Sequence, residues 1–492
     1  MFKRVIFLLS VSLAAVGLAA EDNAVLSLSL PEVLARARKN SVDAEVALNE
    51  LRSAYWGYRS YRAELLPEVT LNATLPSYRK QYSSYMESNG SYTFVPNNYL
   101  QMNGELAVTQ NIWLTGGKVS VNTSLDFYRQ LGSGAYNRYM SIPAAITLSQ
   151  PLFGVNTLKW DRKIEPVRYS QAKARFLSAT EDVARQAIGY YFSLLMAREN
   201  HSIARQNLEN AERLYEVAKV KREMGQISRN DLLQMELNLL DARSAMTDCE
   251  SNLKSNMFNL RSFLDYGEDV EILPEIPLNI PAVEINYGDA LDKALANNQF
   301  AKSMLRRRIE ADYEVAKAKG AMREINLFAQ LGYTGTDRDF VASYQGLRSN
   351  QVVEVGVSIP LVDWGRRKGQ VKVAESNRRL VESQVRQETM NFNQNLFILV
   401  ERYGKQMKQL DIARRADEIA QKRYATNVET FLVGKISTLD LNDSRVKKDE
   451  ARRNYVNELY LFWDYYYQIR SLTLWDYETN TGIDADFDEI VR

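Results

Sequence analysis

The chain has 492 residues, of which 45% are hydrophobic and 25% are charged. This composition is typical of a large folded protein and excludes an intrinsically disordered chain. With 62 basic and 61 acidic residues the net charge is +1, so the sequence lacks the basic excess of a nucleic-acid-binding protein. A single cysteine and a single histidine exclude a disulfide framework and a Cys/His zinc cluster within one chain.

The first twenty residues have the layout of a secretory signal peptide. Lys3 and Arg4 precede an apolar run over 5–18, and small residues up to Ala20 precede an acidic pair. This run is too short to span a bilayer, and no other apolar run in the chain is long enough. We therefore expect cleavage near Ala20. If the mature protein crosses a membrane, it must do so with β-strands, since only helices and closed barrels satisfy the backbone in lipid.

Two long tracts without proline, 167–273 and 361–492, are predicted to be helical. In the first tract, apolar or small residues recur at spacings of three and four from Phe176 to Ala218. The second tract repeats this spacing. A helix over 168–223 would contain about 56 residues and be roughly 84 Å long, which is beyond an ordinary globular helix and indicates coiled-coil packing.

Short stretches between the predicted helices alternate polar and apolar residues, which is typical of β-strands. The stretches are 68–75, 100–112, 118–128, 142–150, 326–333 and 351–360. One apolar and one polar face suit a transmembrane barrel with a water-filled lumen, but a soluble sandwich with one buried face gives the same pattern. Tyrosines expected between the strands favour the membrane, because tyrosine concentrates at membrane interfaces. They are Tyr78, Tyr82, Tyr85, Tyr92, Tyr99, Tyr136 and Tyr139.

The sequence contains an internal duplication. The segment 149–152 (Ser-Gln-Pro-Leu) recurs at 358–361 (Ser-Ile-Pro-Leu), and the segment 225–232 recurs at 434–441, both 209 residues later. We predict five segments: a signal peptide over 1–20; a first repeat over 21–267, with strands within about 67–152 and a helical hairpin turning near 225; a proline-rich crossover over 268–284; a second repeat over 285–475, with strands within about 325–361 and a hairpin turning near 434; and an acidic tail over 476–492. Within this tail we expect the acidic residues 484–489 to be solvated and disordered.

Matches upstream of the strands lie 256 to 257 residues apart, so the first repeat holds about 47 extra residues in its strand region. These residues are predicted to form an additional strand pair, because 100–128 alternates around a turn at Gly116-Gly117. The pair either joins the sheet, so that three chains supply 18 strands, or forms a separate flap. Four to six strands are too few to close a barrel, for which about eight are needed, so several chains must pool their strands.

The ordered, duplicated motifs resemble the TolC family, the outer membrane efflux proteins of Gram-negative bacteria, over nearly the whole mature chain. The motifs are Leu30-Pro31-Glu32-Val33-Leu34 with Asn40, Ser-Gln-Pro-Leu-Phe at 149–153, Pro360-Leu361-Val362-Asp363-Trp364-Gly365, and two Gly-x-x-Ser-x-x-Asp-Leu turns. The resemblance implies a mainly α fold with β: a duplicated repeat of long coiled-coil helices plus transmembrane β-strands. It also implies a homotrimer. In this trimer a composite β-barrel lies in outer-membrane lipid and continues into an α-helical barrel. The trimer would dock to a periplasmic adaptor (membrane fusion) protein and an inner-membrane transporter.

The two helical-hairpin turns hold the first group of candidate functional residues. In each turn a glycine is placed to end a long helix in the left-handed conformation, and a serine is placed to cap the return helix. Any helical hairpin could use these residues in this way. The family resemblance implies in addition that the turns meet the hairpin tips of the adaptor. The candidate docking residues are Gly225, Gln226, Ser228, Gly434, Lys435 and Ser437.

The resemblance also implies an acidic ring at the periplasmic entrance. Asp440 and Asp443 match its two positions, and Asp231 matches the first-repeat aspartate that helps to hold the entrance shut. Asp440 and Asp443 share a helix face, so a trimer would gather six carboxylates around one axis and attract cations. The alternative is two solvated aspartates near a helix N-terminus, stabilised by its dipole. Phe431 and Ile436 replace the tyrosine and arginine that lock the family's entrance, so we expect closure to depend more on packing.

The predicted function is that of a passive export duct, the outer-membrane channel of a tripartite efflux or type I secretion system. No catalytic residue, cofactor, metal site or nucleic-acid partner is predicted, and the chain is not expected to be an enzyme because no motif gathers its carboxylates into a pocket. The alternative is a structural coiled-coil protein or adhesin anchored by a barrel. An adhesin is expected to place its long segments outside the cell, whereas these helices follow the strands on the side of the mature N-terminus.

Overall fold

The computed structural model of the chain describes residues 24–132, 134–281, 283–322, 324–358, 361–432, 435–436 and 438–491. The predicted signal peptide lies outside these residues. In the described ranges, none of the helices combines the length and the apolar character needed to cross a membrane. The described residues form two compact units, one built from 24–45, 180–284 and 402–468 and the other from 46–179, 285–401 and 469–491.

The fold is mainly helical with strands, as the sequence predicts. The strands are β1 (Ala24–Leu28), β2 (Glu68–Met86), β3 (Tyr92–Ile112), β4 (Gly117–Gln130), β5 (Tyr136–Pro151), β6 (Val270–Pro274), β7 (Glu324–Asp337), β8 (Arg348–Ser358), β9 (Trp475–Asp476) and β10 (Thr481–Gly482). The helices are α1 (Leu30–Asn40), α2 (Val42–Glu64), α3 (Thr157–Glu223), α4 (Arg229–Leu264), α5 (Tyr287–Asn297), α6 (Gln299–Gly320), α7 (Arg366–Leu432), α8 (Thr438–Thr473) and α9 (Phe487–Ile490), with a 3-10 turn at Ala342–Tyr344.

The long helices occur in two matching pairs. Helices α3 and α7 have 67 residues each, and α4 and α8 have 36 residues each, with the second pair starting 209 residues after the first. The predicted start of α3 near residue 168 is wrong, because the helix begins at Thr157 and runs through Pro166. Asn156 caps this earlier start, since its Oδ1 accepts the backbone N–H of Lys159 at 2.9 Å. A proline inside a helix removes one backbone bond, and the long helix tolerates that loss.

Buried aromatic side chains organise the core of the first unit. The Tyr403 ring lies 5.4 Å from Phe462 and 6.1 Å from Tyr466, and all three side chains are fully buried. Tyr191 is buried as well, and its hydroxyl donates to the carbonyls of Leu28, at 3.1 Å, and Glu275. Burial raises the pKa of Tyr191, so the hydroxyl stays protonated and ties α3 to the segments around β1 and β6.

The proline-rich crossover contains a strand that the sequence reasoning missed. β6 pairs in parallel with β1, from Ala24↔Val270 to Leu28↔Pro274. Ile272, at the centre of β6, is fully buried. Pro274 is the last residue of the strand, where the absence of a backbone N–H is tolerated, so the proline content of 268–284 did not prevent pairing.

The second unit contains a six-stranded antiparallel sheet in the order β2-β3-β4-β5-β7-β8. The additional strand pair is present as β3 and β4, which pair from Tyr99↔Gln130 to Ile112↔Gly117. The two repeats meet where β5 pairs with β7. β2 and β8 are the two edges of this sheet.

The tyrosines expected in loops between the strands lie inside strands instead. Tyr78, Tyr82 and Tyr85 belong to β2, Tyr92 and Tyr99 to β3, and Tyr136 and Tyr139 to β5. The β2–β3 ribbon continues from Lys80↔Asn98 to Met86↔Tyr92, past the residues of β3 that pair with β4. The expectation failed because tyrosine has a high strand propensity, and these segments lack the regular alternation by which the shorter strands were recognised.

The expectation of a disordered acidic tail is also wrong. β9 and β10 form a small hairpin, and α9 follows it. The Phe487 ring lies 6.4 Å from Phe176, and the Lys173 ammonium lies 4.7 Å from the same ring. Arg470 Nη1 contacts Asp476 Oδ2 at 2.7 Å. Aromatic and ionic contacts therefore hold a segment whose charge alone suggested a solvated tail.

Candidate functional site

The first hairpin turn, between α3 and α4, is closed by a left-handed glycine. Gly225 has a φ of +72°. Its N–H donates to the carbonyl of Arg222 at 2.9 Å, and the N–H of Gln226 donates to the carbonyl of Lys221 at 2.8 Å. These two bonds form a Schellman motif, which satisfies carbonyls that the helix end would otherwise leave unpaired. The sequence reasoning anticipated this backbone geometry, whereas docking at the turn remains a prediction.

Asp231 belongs to a capping box at the start of α4. The Ser228 Oγ accepts the N–H of Asp231 at 3.1 Å, and the Asp231 carboxylate accepts the N–H and the hydroxyl of Ser228 at 3.0 and 2.7 Å. The hydroxyl bond and the backbone bond from Ser228 lower the pKa of Asp231. A lowered carboxyl pKa contributes stability above its ordinary range and loses it as the pH falls, so acidification should loosen this turn.

Replacing Ser228 by alanine is expected to loosen the start of α4. Loss of a serine N-cap costs about 1 kcal/mol of helix stability. Amide hydrogen exchange over 228–232 should therefore accelerate about fivefold in the purified protein, as measured by mass spectrometry. Ser251→Ala, at an exposed position in the middle of α4, is the matched control and should leave exchange at the turn unchanged. Equal exchange in the Ser228 variant and the parent would contradict the capping role.

The second hairpin turn, between α7 and α8, repeats a bond of the first. The N–H of Lys435 donates to the carbonyl of Thr430 at 3.1 Å, which is the counterpart, 209 residues later, of the bond from Gln226 to Lys221. Lys435 is exposed and Ile436 is half-buried. The predicted residues Gly434 and Ser437 lie outside the described residues, and so does the side chain of Phe431.

The two aspartates predicted to form an acidic ring lie in the first two turns of α8. Asp440 is in the first turn and is exposed. Asp443 lies one turn later, and its Oδ2 contacts Arg423 Nη2 of α7 at 2.8 Å, with both side chains about half exposed. Sequence reasoning missed Arg423. The sequence could have suggested this pair, because Arg423 and Asp443 lie at similar distances before and after the turn. Residues at such positions face each other in an antiparallel helical hairpin.

The structure therefore brings Ser228 together with Asp231 in one turn and, separately, Asp443 together with Arg423 across the other hairpin. Asp231 has a structural role, since it forms the capping box with Ser228. Asp443 forms a salt bridge with Arg423, although an exposed pair of this kind contributes only about 0–1 kcal/mol to stability. The arrangement can present carboxylate charge near the turn without adding much to the stability of the helices.

One family of known proteins matches this chain in two segments, one in each repeat. The sequence model of a family described as "Outer membrane efflux protein" matches residues 118–264 and 290–472, more than half of the chain. No sequence among the curated proteins matches the chain.

Several solved structures share the fold at low sequence identity. The CmeC outer membrane channel of Campylobacter jejuni is 15% identical, with a TM-score of 0.66 over 94% of this chain and 88% of that one. VceC of Vibrio cholerae is 13% identical, with a TM-score of 0.62 over 92% of this chain and 97% of that one. The open state of the MtrE outer membrane channel of Neisseria gonorrhoeae is 12% identical, with a TM-score of 0.57 over 93% and 90%. These likenesses concern the fold.

Proposed function

Because the chain belongs to the outer membrane efflux protein family, we propose that it forms the outer-membrane channel of a tripartite efflux or type I secretion system. The family consists of outer-membrane channel proteins rather than enzymes. The proposed role is passive. The protein supplies a duct across the periplasm and the outer membrane, and an inner-membrane transporter supplies the energy for export.

The exposed apolar face of the six-stranded sheet is the observation that carries this proposal. Directly paired residues share a face, and one row of the register runs through Val69, Val108, Val121, Ile146 and Leu331. These side chains are between 39% and 64% exposed. A soluble sheet would bury such a face, whereas a sheet in lipid presents it to the acyl chains.

The opposite face of the same strands is polar. Thr109 Oγ1 lies 3.0 Å from Ser120 Oγ, and Asn103 Nδ2 donates to Asp126 Oδ1 at 2.7 Å. Side chains that satisfy one another in this way suit a water-filled lumen. Lipid on one face and water on the other is the environment that a duct through the outer membrane provides.

Channels of the TolC type are in general homotrimers that work with adaptor proteins and inner-membrane pumps. For this chain we propose a homotrimer in outer-membrane lipid, with a composite β-barrel and an α-helical barrel, a periplasmic adaptor at the two hairpin turns and an inner-membrane transporter behind it. Light scattering of the detergent-solubilised protein tests the oligomer. A trimer is expected, and a stable monomer would contradict the proposal.

Bulky substitutions at the turns should block export without unfolding the protein. Gln226→Trp and Lys435→Trp place an indole on exposed residues of the proposed adaptor surface. Cells that depend on this channel should become more sensitive, by about fourfold or more, to a panel of dyes and antibiotics. Such a change corresponds to the loss of about 1 kcal/mol of docking energy.

The matched controls for the docking surface are Gln387→Trp and Lys408→Trp, which change the same residue types at exposed positions of α7 away from the turn. These variants should export normally. Unchanged sensitivity of the Gln226 and Lys435 variants, with normal trimer levels in the outer membrane, would count against docking at the turns.

A further inference from the structure

We infer that strands β3 and β4 are part of the channel wall, so that three copies close a barrel of 18 strands in which the β8 edge of one copy pairs with the β2 edge of the next. Each copy supplies the six strands of its sheet. This inference rests on the proposed function, since it concerns the trimer in the membrane. It adds the number of strands in the wall, the interface between copies and the width of the lumen.

The internal duplication identifies β3 and β4 as the inserted pair. β2 begins at Glu68 and β7 begins at Glu324, at the matched positions of the two repeats. β5 ends at Pro151, shortly after Ser149, and β8 ends at Ser358, which is the counterpart of Ser149 in the duplication. Among the described residues, the second repeat therefore contributes two strands to this sheet where the first contributes four, and β3 and β4 have no counterpart there.

The inserted pair is hydrogen-bonded into the sheet on both sides. β2 pairs with β3 along nearly its full length, from Glu68↔Thr109 to Met86↔Tyr92, and β4 pairs with β5 from Lys118↔Ser149 to Gln130↔Tyr136. A separate flap would have to break both of these ladders. The backbone groups of β2 and β5 would then be unpaired in lipid, at a cost of several kcal/mol each, unless these two strands paired anew with each other.

The inserted strands also have the same two faces as the rest of the sheet. Leu106 and Val108 of β3 and Val121 of β4 continue the apolar row and are between 39% and 46% exposed. On the other face, Asn122 of β4 donates to Glu105 of β3 at 3.3 Å. A flap in water would gain nothing from an exposed apolar face, whereas a wall segment requires lipid on one side and water on the other.

The strand directions of the two sheet edges, β2 and β8, allow antiparallel pairing between copies. Successive strands of the sheet are antiparallel throughout, so β2 and β8, the first and last of six, run in opposite directions. When β8 of one copy meets β2 of the next, the new pair is antiparallel as well. An odd number of strands per copy would force a parallel pair at every interface, which bacterial single-chain barrels with their even strand numbers avoid.

The strand number sets the width of the lumen. With strands about 4.8 Å apart and tilted by about 40°, 18 strands enclose a backbone diameter of about 35 Å. A wall of four strands per copy, without the inserted pair, would enclose about 24 Å by the same geometry. The inserted pair roughly doubles the cross-section of the duct and so favours bulkier cargo.

Disulfide mapping between copies tests the wall directly. In a Cys249→Ser background, which removes the native cysteine, one cysteine is placed on β8 (Val353→Cys or Val355→Cys) and one on β2 (Val69→Cys, Leu71→Cys or Ala73→Cys). Opposed residues of antiparallel strands have Cα separations of about 4.5–5.5 Å, which a disulfide can span. At least one combination should give covalently linked trimers on a non-reducing gel.

The matched arm combines Val69→Cys of β2 with Ile146→Cys of β5, which lie in one row of the register. If the inserted pair lay outside the wall, β2 would pair directly with β5, and a disulfide could form within one copy. In the six-stranded sheet three strand spacings, about 14 Å, separate the two positions, which is beyond the reach of a disulfide. A disulfide from β2 to β5 within a copy, or trimers that show no crosslink from β8 to β2, would overturn the inference while leaving the proposed channel intact. A protein that forms no trimer would instead overturn the proposed function.

A charge on the lipid face of the inserted pair provides a second test. Val121→Arg should abolish trimers in the outer membrane as completely as Val355→Arg on β8, because both positions would face lipid. Asn122→Arg, on the polar face of the same strand, should assemble normally. Normal assembly of the Val121 variant would overturn the inference, whatever the crosslinking of other variants.

Discussion

Replacing Arg452 by methionine is expected to lower the free energy of unfolding by about 2–4 kcal/mol. The guanidinium of Arg452, on α8, contacts both carboxylate oxygens of Glu199 on α3, at 3.0 and 3.1 Å. It also contacts Asp417 on α7 at 3.3 Å. One side chain therefore joins three helices. Removing it leaves two carboxylates without their shared cation, one of them with a side chain only 7% exposed.

The size of this effect follows from the burial of the cluster. Breaking a fully buried ion pair costs about 3–5 kcal/mol, and the partial exposure of Arg452 and Glu199 reduces that figure. The hydrogen bonds that Arg452 donates to Glu199 raise the pKa of the guanidinium, and attraction to both carboxylates raises it further, against a desolvation penalty. The charged form is therefore the one that the folded protein favours.

Thermal unfolding of the purified protein measures the loss of stability in Arg452→Met. Two further variants show whether this loss comes from the buried charge cluster. Arg415→Met, which removes an exposed partner of Asp411 on α7, should cost about 0–1 kcal/mol. The triple variant Arg452→Met, Glu199→Leu, Asp417→Leu removes every charge of the cluster and should recover most of the stability, since apolar replacement of buried ion networks is often neutral or better. An Arg452 variant as stable as the Arg415 variant would contradict the bridging role.

The regular parts of this fold could be predicted because they repeat local patterns. The duplication, the long helices, the strand alternation and the two turns all depend on residues close in sequence, and together they supported the family resemblance that the family match confirms. Gly225 and Ser228 were predictable for the same reason, because a left-handed residue and an N-cap are local requirements.

The parts that escaped prediction depend on residues far apart in the chain. Arg452 and Glu199 are separated by 253 residues, and no periodicity in the sequence pairs them. β6 forms only because β1 lies beside it, and the tail is held by aromatic contacts with α3. The pairing of Arg423 with Asp443 also required the register of two helices, which a one-residue change in the turn would alter.

Block of the channel by multivalent cations should depend on Asp440 and Asp443. In a trimer, three copies of each would place six carboxylates near one axis, where close pairs repel by roughly 1–4 kcal/mol depending on the effective dielectric. A trivalent cation relieves this repulsion and should therefore bind and obstruct ion flow. The double variant Asp440→Ala, Asp443→Ala is expected to raise the blocking concentration about 10- to 100-fold and to weaken cation selectivity, as measured by single-channel conductance in planar bilayers.

A variant of Arg423 is expected to shift the blocking concentration in the opposite direction. Its guanidinium forms a salt bridge to Asp443 at 2.8 Å and places a positive charge beside the carboxylates, so Arg423→Gln should lower the blocking concentration several-fold. Both variants should remain trimeric, because a half-exposed pair contributes only about 0–1 kcal/mol. If the two variants and the parent block at the same concentration, these aspartates do not line the constriction, and they are solvated residues at a helix N-terminus. Opposite shifts would place all three residues in the ion path, since a change in helix stability alone cannot move block in both directions.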